Sequence, residues 1–507
     1  MNKKSRTYKT ARNIAAGLGA KIVTTILTFV GRRVFLQVFS LDYVGIMGLF
    51  GGILTMLSLA DLGIETAMIF SYYKPLAEGD VPKLAALSNF YRRAYNTIAA
   101  VVAGLGLVVL PFLRFLVNTD QEIPHLEVYY LITLVDSVVT YLFVYKSAII
   151  RADQKGYMLN RITIWSSVIR LALQITALYT TRNFMVYCSV SIIATLTYNL
   201  FISRVANREY PQLKRKAELD PDERKDIFQQ IKSVFIYRLA IVAAENTDNI
   251  LISTIVSTTV LGLYGNYATL VTNITFIVGI LFSSLIPSVG NLLVKESAEQ
   301  RHHVFSTMQT ISYWVAGVFS FCFYFLMDDF IALWIGPEYV FDEFTKLAIL
   351  LVFYLGITQY PVRAFRSASG LFERIKYIML VTAAINLALS ILLGLWLGVA
   401  GILIATFISK VCTHVWYEPI LLYKDFFHEK VKSYFIYQIV NFALVVALVA
   451  ILGYLAPTFE TTTWLRWAEK GFVCFAIINA VYLLMFYRTA EFADIKMRVK
   501  HLLRPEK

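Results

Sequence analysis

Long apolar runs alternate with short polar ones along the whole chain. A helix needs about 20 mostly apolar residues to cross a bilayer. Runs of that kind fall near 13–38, 44–72, 94–116, 127–149, 162–181, 184–203, 233–256, 261–290, 304–327, 345–362, 376–396, 399–421, 434–456 and 467–487. The pattern predicts an all-α integral membrane protein of about fourteen transmembrane helices. Several runs exceed the bilayer's need, so tilted, kinked or protruding helices are expected.

The polar stretches set the domain plan. The longest, Arg204–Lys225, follows the sixth run and carries Pro211, Lys214, Arg215, Lys216, Pro221 and Arg224. It reads as a linker between two six-helix halves. A second tract, 425–433, sets off the last two runs. The expected plan is a first lobe over 1–206, a linker over 207–225, and a second lobe over 226–424. Two further helices and a basic tail occupy 425–507.

The halves resemble each other. Ser40-Leu-Asp-Tyr-Val-Gly45-Ile-Met-Gly48-Leu-Phe50 precedes the second run, and Ser257-Thr-Thr-Val-Leu-Gly262-Leu-Tyr-Gly265-Asn-Tyr267 precedes the eighth. At constant offset the serine, both glycines and an aromatic align, and Thr55 falls on Thr272. A repeat at equivalent turns supports two lobes related by an axis along the membrane normal.

Composition agrees. The 507 residues are 58% hydrophobic and 16% charged, with a mean hydropathy of +0.61. Soluble chains carry about 25% charged residues. The net charge of +13 sits in the short segments between apolar runs, which points to membrane topology and away from nucleic acid. With the N-terminus inside, about 34 lysines and arginines fall in cytoplasmic segments and only a few outside. The expected external loop Met327–Phe344 has neither, but carries Asp328, Asp329, Glu338, Asp342 and Glu343. Both termini are expected in the cytoplasm. The basic start leads into an apolar run too long for a cleavable signal, so a retained first helix is expected. Cys188, Cys322, Cys412 and Cys474 lie in apolar runs without a CxxC pair and read as small buried hydrophobes.

Motifs of soluble enzymes are absent: there is no Walker A sequence, GxSxG or HExxH. No cofactor or metal is expected. Transport, if that is the activity, would draw on an H+ or Na+ gradient or on substrate mass action.

Charges within the spans carry the most information, because each costs about 2.5–3.5 kcal/mol or more at the bilayer centre unless it meets a cavity or a partner. The first span carries Lys21, Arg32 and Arg33. Adjacent residues point about 100° apart, so only one of the arginine pair should face a cavity squarely. Asp61 and Glu65 share one face of the second span. They suit a coupling cation, a proton, or neutralisation of the first helix. The seventh span contains Arg238, Glu245, Asp248 and Asn249, a run too polar to face lipid. The twelfth carries Lys410, His414 and Glu418 at four-residue steps. Asp136 and Arg170, single charges in the fourth and fifth spans, are expected to pair with each other. Arg363 and Arg366 are explained by the positive-inside bias.

Gly45-Ile-Met-Gly-Leu-Phe50, Leu59-Ala-Asp-Leu-Gly-Ile64, Ala67 and Tyr72-Tyr-Lys-Pro-Leu76 resemble the N-terminal signature of the polysaccharide flippases of the MOP (MATE-like) superfamily. Asp248-Asn-Ile-Leu-Ile-Ser253, Gly262-Leu-Tyr-Gly-Asn-Tyr267 and Ser288-Val-Gly-Asn291 continue the likeness in the second half. The resemblance implies two six-helix lobes around a cavity that opens alternately to each side and is lined by the first, second, seventh and eighth helices. It implies a polyprenyl-pyrophosphate-linked oligosaccharide, exported across a bacterial cytoplasmic membrane alongside a polysaccharide polymerase and glycosyltransferases. Lys21, Arg32, Arg33 and Arg238 would hold the pyrophosphate, and the prenyl tail would stay in membrane lipid. In the related lipid II flippases the last two helices help form a groove for that tail. Two alternatives keep the same architecture: a cation-coupled multidrug antiporter of the MATE type and a peptidoglycan-precursor flippase. A membrane-embedded glycosyltransferase or polymerase would need a large external loop, which the spans do not leave.

Overall fold

The computed structural model describes residues 3–58, 64–215, 217–229, 242, 246–455 and 461–503. The described residues form helices and no strands. Nine of these helices are long and apolar enough to cross a membrane, or ten if one bent pair counts as a single span. The surface confirms the solvent: Phe115 and Trp396 are each 78% exposed, and Leu484 is 74% exposed. Apolar surface on that scale, on helices long enough to span a bilayer, fits contact with lipid. The chain is a multi-pass membrane protein, and it divides into two compact units, Met1–Gly262 and Leu263–Lys507.

The first unit begins with α1 (Lys3–Leu36), α2 (Leu41–Leu57) and α3 (Ile64–Glu78). The expected second span thus falls on α2 and α3, with 59–63 outside the described residues. Next comes α4 (Val81–Val109), whose first turn is capped by Asp80, which accepts from the Lys83 amide at 2.9 Å. The expected fourth span is broken. α5 (Leu126–Tyr141) and α6 (Val144–Ala152) meet at 42°, where Phe143 leaves helical geometry. α7 (Gly156–Thr181) and α8 (Phe184–Glu209) pack along each other, and α7 also packs on α1. The described part of the expected seventh span is α9 (Thr247–Leu251), followed by one π-turn over Ile252–Val256. α10 (Thr258–Lys295) starts in this unit.

The two repeat-related turns lie against each other inside the first unit, and their glycines explain why. A Cβ on Gly45 would stand 1.8 Å from the Thr258 carbonyl oxygen. A Cβ on Gly262 would stand 2.3 Å from the Leu41 carbonyl oxygen. Only glycine permits this approach from either side. The aligned glycines are therefore where the start of α2 crosses the start of α10.

The second unit contains α11 (Ala298–Trp334), α12 (Glu343–Thr358), α13 (Tyr360–Ser369) and α14 (Phe372–Val411). The expected eleventh and twelfth spans join in α14, broken at Gly398 (φ 60°, ψ −138°), a conformation that favours glycine. α15 (His414–Leu422), α16 (Lys432–Leu455), α17 (Trp464–Phe486) and α18 (Ala490–Leu503) follow. The C-terminal helix α17 is locked onto α11. Val318 and Phe321 pack with Cys474, Ile478, Tyr482 and Phe486. At Gly317 an added Cβ would lie 2.0 Å from the Tyr482 hydroxyl oxygen. Trp314 donates to Asn479 at 2.9 Å, and Lys470 reaches Asp329 at 2.7 Å.

Candidate functional site

The bend between α5 and α6 opens a polar cavity in the first unit. Non-helical backbone at membrane depth is tolerated where it lines a cavity or is buried in protein. Here a cavity of about 360 Å³ lies between the bend and α3, α7 and α8. That volume is within the range of small-ligand sites. Its walls carry Thr140, Ser147, Thr163, Ser166, Ser167, Thr195, Tyr198 and Asn199, together with Glu65, Arg151 and Arg170.

The hydrogen bonds of these walls decide what they offer. The hydroxyls of Thr140, Ser147, Thr163 and Ser166 donate to carbonyls three or four residues back in their own helices, at 2.6, 2.9, 3.0 and 3.1 Å. A hydroxyl has one proton and two lone pairs, so each keeps acceptor capacity for a guest. Arg170 donates to Ser191 at 2.7 Å, which spends one of its five donors. Arg151 pairs with Glu65. The site combines hydroxyl acceptors, suited to a guest rich in O–H groups, with guanidinium donors, suited to an oxyanion.

Several charges sit differently from their expected places. The Asp136–Arg170 pair does not form. Arg170 turns to Ser191 across α7 and α8, and Asp136 Oδ1 is buried with no hydrogen bond among the described residues. Glu65 meets Arg151. Of the adjacent arginines, Arg32 turns inward and Arg33 is exposed. Arg32 Nη1 is buried without a hydrogen-bond partner among the described residues. Lys21 is half-buried three turns below Arg32 on the same face, with Thr25 and Thr28 between them. Asp248 is half-buried in α9, and Asn249 packs on α2, its Cβ 3.1 Å from where a side chain at Gly52 would begin. Asp61, Arg238 and Glu245 lie outside the described residues.

In the second unit the stripe of Lys410, His414 and Glu418 is interrupted. Thr413 (φ −129°, ψ −105°) separates α14 from α15, so Lys410 is on one helix and the other two are on the next. Glu418 is buried and accepts from Arg366 at 2.7 Å. Arg366 therefore has a specific partner, 52 positions away, beyond the general positive-inside bias. His414 is buried, and its Nδ1 has no partner among the described residues.

Sequence reading passed over Asp42. It is 3% exposed and accepts from Thr119 at 2.5 Å, from Ser40 at 2.9 Å and from Thr259. It thus ties the turn before α2 to the segment after α4 and to the start of α10. The second unit has its own apolar groove of about 220 Å³, lined by Ser320, Tyr324, Leu347, Leu350, Leu351, Tyr354, Phe442, Val445, Val446 and Val449. It lies between α11, α12 and α16.

Among solved structures, the lipid II flippase MurJ in an inward closed conformation superposes with a TM-score of 0.67. The match covers 94% of this chain and 100% of that one at 12% identity. The fold is that of MurJ and the MATE transporters. An inward-facing multidrug resistance MATE family transporter of the MOP superfamily matches at a TM-score of 0.59 and 13% identity, covering 78% of this chain and 93% of that one. The Vibrio cholerae MATE transporter VcmN matches at 0.55 and 12% identity, covering 84% and 100%. At these identities the likeness is one of fold. No family model matches the sequence, and no curated protein sequence matches it. The MurJ match extends over nearly the whole chain, whereas the MATE matches cover less of it.

Proposed function

We propose that the chain is a flippase that moves a polyprenyl-pyrophosphate-linked oligosaccharide from the cytoplasmic to the external leaflet of a bacterial cytoplasmic membrane, for surface polysaccharide biosynthesis. The observation that carries this reading is the hydroxyl- and arginine-lined cavity of the first unit. Sugars need many acceptors and a pyrophosphate needs guanidinium donors. Lys21, Arg32 and Arg33 on α1, with Arg238, supply further cations, and Arg32 is the strongest of these because its buried Nη1 is unspent. The apolar groove of the second unit suits a prenyl chain, and α16 supplies four of its residues. Asp61, Glu65, Glu245, Asp248, Asn249, Lys410 and His414 are the polar groups through which an H+ or Na+ gradient would be coupled, whereas Glu418, expected in the same set, would serve structure through its pair with Arg366. The halves 1–206 and 226–424 would alternate access with both termini in the cytoplasm, and Asp42 would latch the external turns in the state described here.

A multidrug antiporter for cations calls for acidic walls. The cavity has two arginines to one glutamate, and that glutamate is neutralised by Arg151. A peptidoglycan-precursor flippase shares the same donors and acceptors, and the MurJ likeness favours keeping it as the second reading.

The deciding experiment reconstitutes the full chain in liposomes. It compares translocation of a polyprenyl-pyrophosphate oligosaccharide, lipid II and an organic cation. Movement of the oligosaccharide with no movement of the cation is expected. Gradient-driven cation efflux without oligosaccharide movement would overturn the reading.

A further inference from the structure

A second cavity of the first unit, about 400 Å³, is separate from the one above. It forms where the segment 217–229 folds back over α4. Asn89 Nδ2 donates to the carbonyls of Arg215 and Ala217 at 2.8 and 3.3 Å, which fixes the segment as a roof. Lys83 pairs with Glu223, and the rings of Phe90 and Phe228 meet edge to face at 5.7 Å. Arg93 and Arg224 both line the space, with Thr97 and the apolar Ile64, Phe90 and Ile98. Arg93 is held only loosely, by Glu218 at 3.5 Å, and both side chains of that pair are largely exposed.

The helix beyond the cavity is distinctive. From Arg93 and Thr97, steps of one helical turn lead to Val101, Leu105 and Val108, all exposed and apolar. Two guanidinium groups therefore sit at the head of an apolar ridge 44–62% exposed, on the side of α4 covered by the segment 217–229, whose acids Glu218 and Glu223 pair with Arg93 and Lys83. This is the layout of a lipid: charge at the interface, chain along the helix.

We propose that this cavity binds the phosphate headgroup of an anionic glycerophospholipid, with one acyl chain along Val101, Leu105 and Val108. The phosphate takes Arg93 and Arg224 and displaces Glu218 from Arg93. The linker is thereby clamped to α4 by lipid. The site makes no use of the transported substrate, and its test does not depend on the proposed transport.

The test measures binding to purified full-length protein, using phosphatidylglycerol and phosphatidylcholine as probes. Phosphatidylglycerol should bind more tightly. The double variant Arg93→Ala/Arg224→Ala should lose about thirtyfold in affinity, at about fivefold per basic residue near a membrane surface. Arg114→Ala, at the opposite end of α4, should bind as the parent does. The lysine double variant, Arg93→Lys/Arg224→Lys, should keep most of the affinity, which separates charge from folding. Glu218→Gln should tighten binding by removing the competing carboxylate. Equal affinity for the two lipids, or an unchanged affinity in the alanine double variant, would overturn the proposal. Complete displacement of phosphatidylglycerol by millimolar inorganic phosphate would also overturn it, by assigning the site to free phosphate.

Discussion

The two units settle several of their charges differently, although Glu65 and Arg151 pair in the first as well. In the second, acids find cations: Asp328 holds Lys346 at 2.7 Å, Asp329 holds Lys470 at 2.7 Å, and Glu418 holds Arg366 at 2.7 Å. In the first, Arg32, Asp136 and Arg170 make no ion pair among the described residues, and Arg170 settles on a serine. Burying a matched pair is a structural solution whose members cannot be separated cheaply. An unmatched charge persists where a guest, a cavity or a moving proton uses it. On the proposed function, the contrast would give recognition of the polar head to the first unit, and anchoring plus the apolar groove to the second.

The comparison can be broken at either end. The largest effect is expected in the second unit. Glu418→Gln strands a buried guanidinium and should cost about 3–5 kcal/mol of stability. The measurement is thermal unfolding in detergent, and joint replacement with Arg366→Met should recover much of the loss. A variant as stable as the parent would mean that this pair, too, is held for function.

In the first unit the order should reverse, with activity falling and folding intact. Arg170→Ala should lower translocation in liposomes about tenfold to a hundredfold, the range set by about 1.5–3 kcal/mol for a charged hydrogen bond. Its unfolding temperature should stay close to that of the parent. A loss of stability equal to the loss of transport would make Arg170 a structural residue.

A smaller effect separates neighbours on α1. Arg32→Ala should reduce transport several-fold more than Arg33→Ala, because only Arg32 points inward. Equal effects from the two would remove the orientation argument. The smallest effect concerns the glycines of α2. Gly51→Ala meets nothing within 4 Å among the described residues and should be silent, whereas Gly45→Ala must push apart the crossing with α10 and should reduce the folded fraction. Size-exclusion profiles of the two variants would show the difference.

Much of this layout was legible from the chain. Apolar run length announced an all-helical membrane protein, because the bilayer sets a length that local sequence must satisfy. The aligned Gly45 and Gly262 marked a repeat, and their physical reason, mutual close approach at one crossing, needed three dimensions. Asp42 was missed because a lone acid at a turn reads as an ordinary helix start. The Arg366–Glu418 pair was missed because its members lie 52 residues apart, beyond any local spacing rule. Asp136 and Arg170 were matched by charge alone, whereas geometry gave Arg170 a serine. The break at Thr413 has no Gly or Pro at the site to announce it, so a clean four-residue stripe seemed continuous.

The most direct test of the division of labour is photo-crosslinking. A photoreactive amino acid would replace Thr195 in the cavity of the first unit or Leu350 in the groove of the second. The protein would then be loaded with a polyprenyl-pyrophosphate oligosaccharide labelled separately in its glycan and in its tail. The account predicts that position 195 captures the glycan or pyrophosphate end and position 350 captures the prenyl chain. Capture of the tail at 195, or of the glycan at 350, would contradict it.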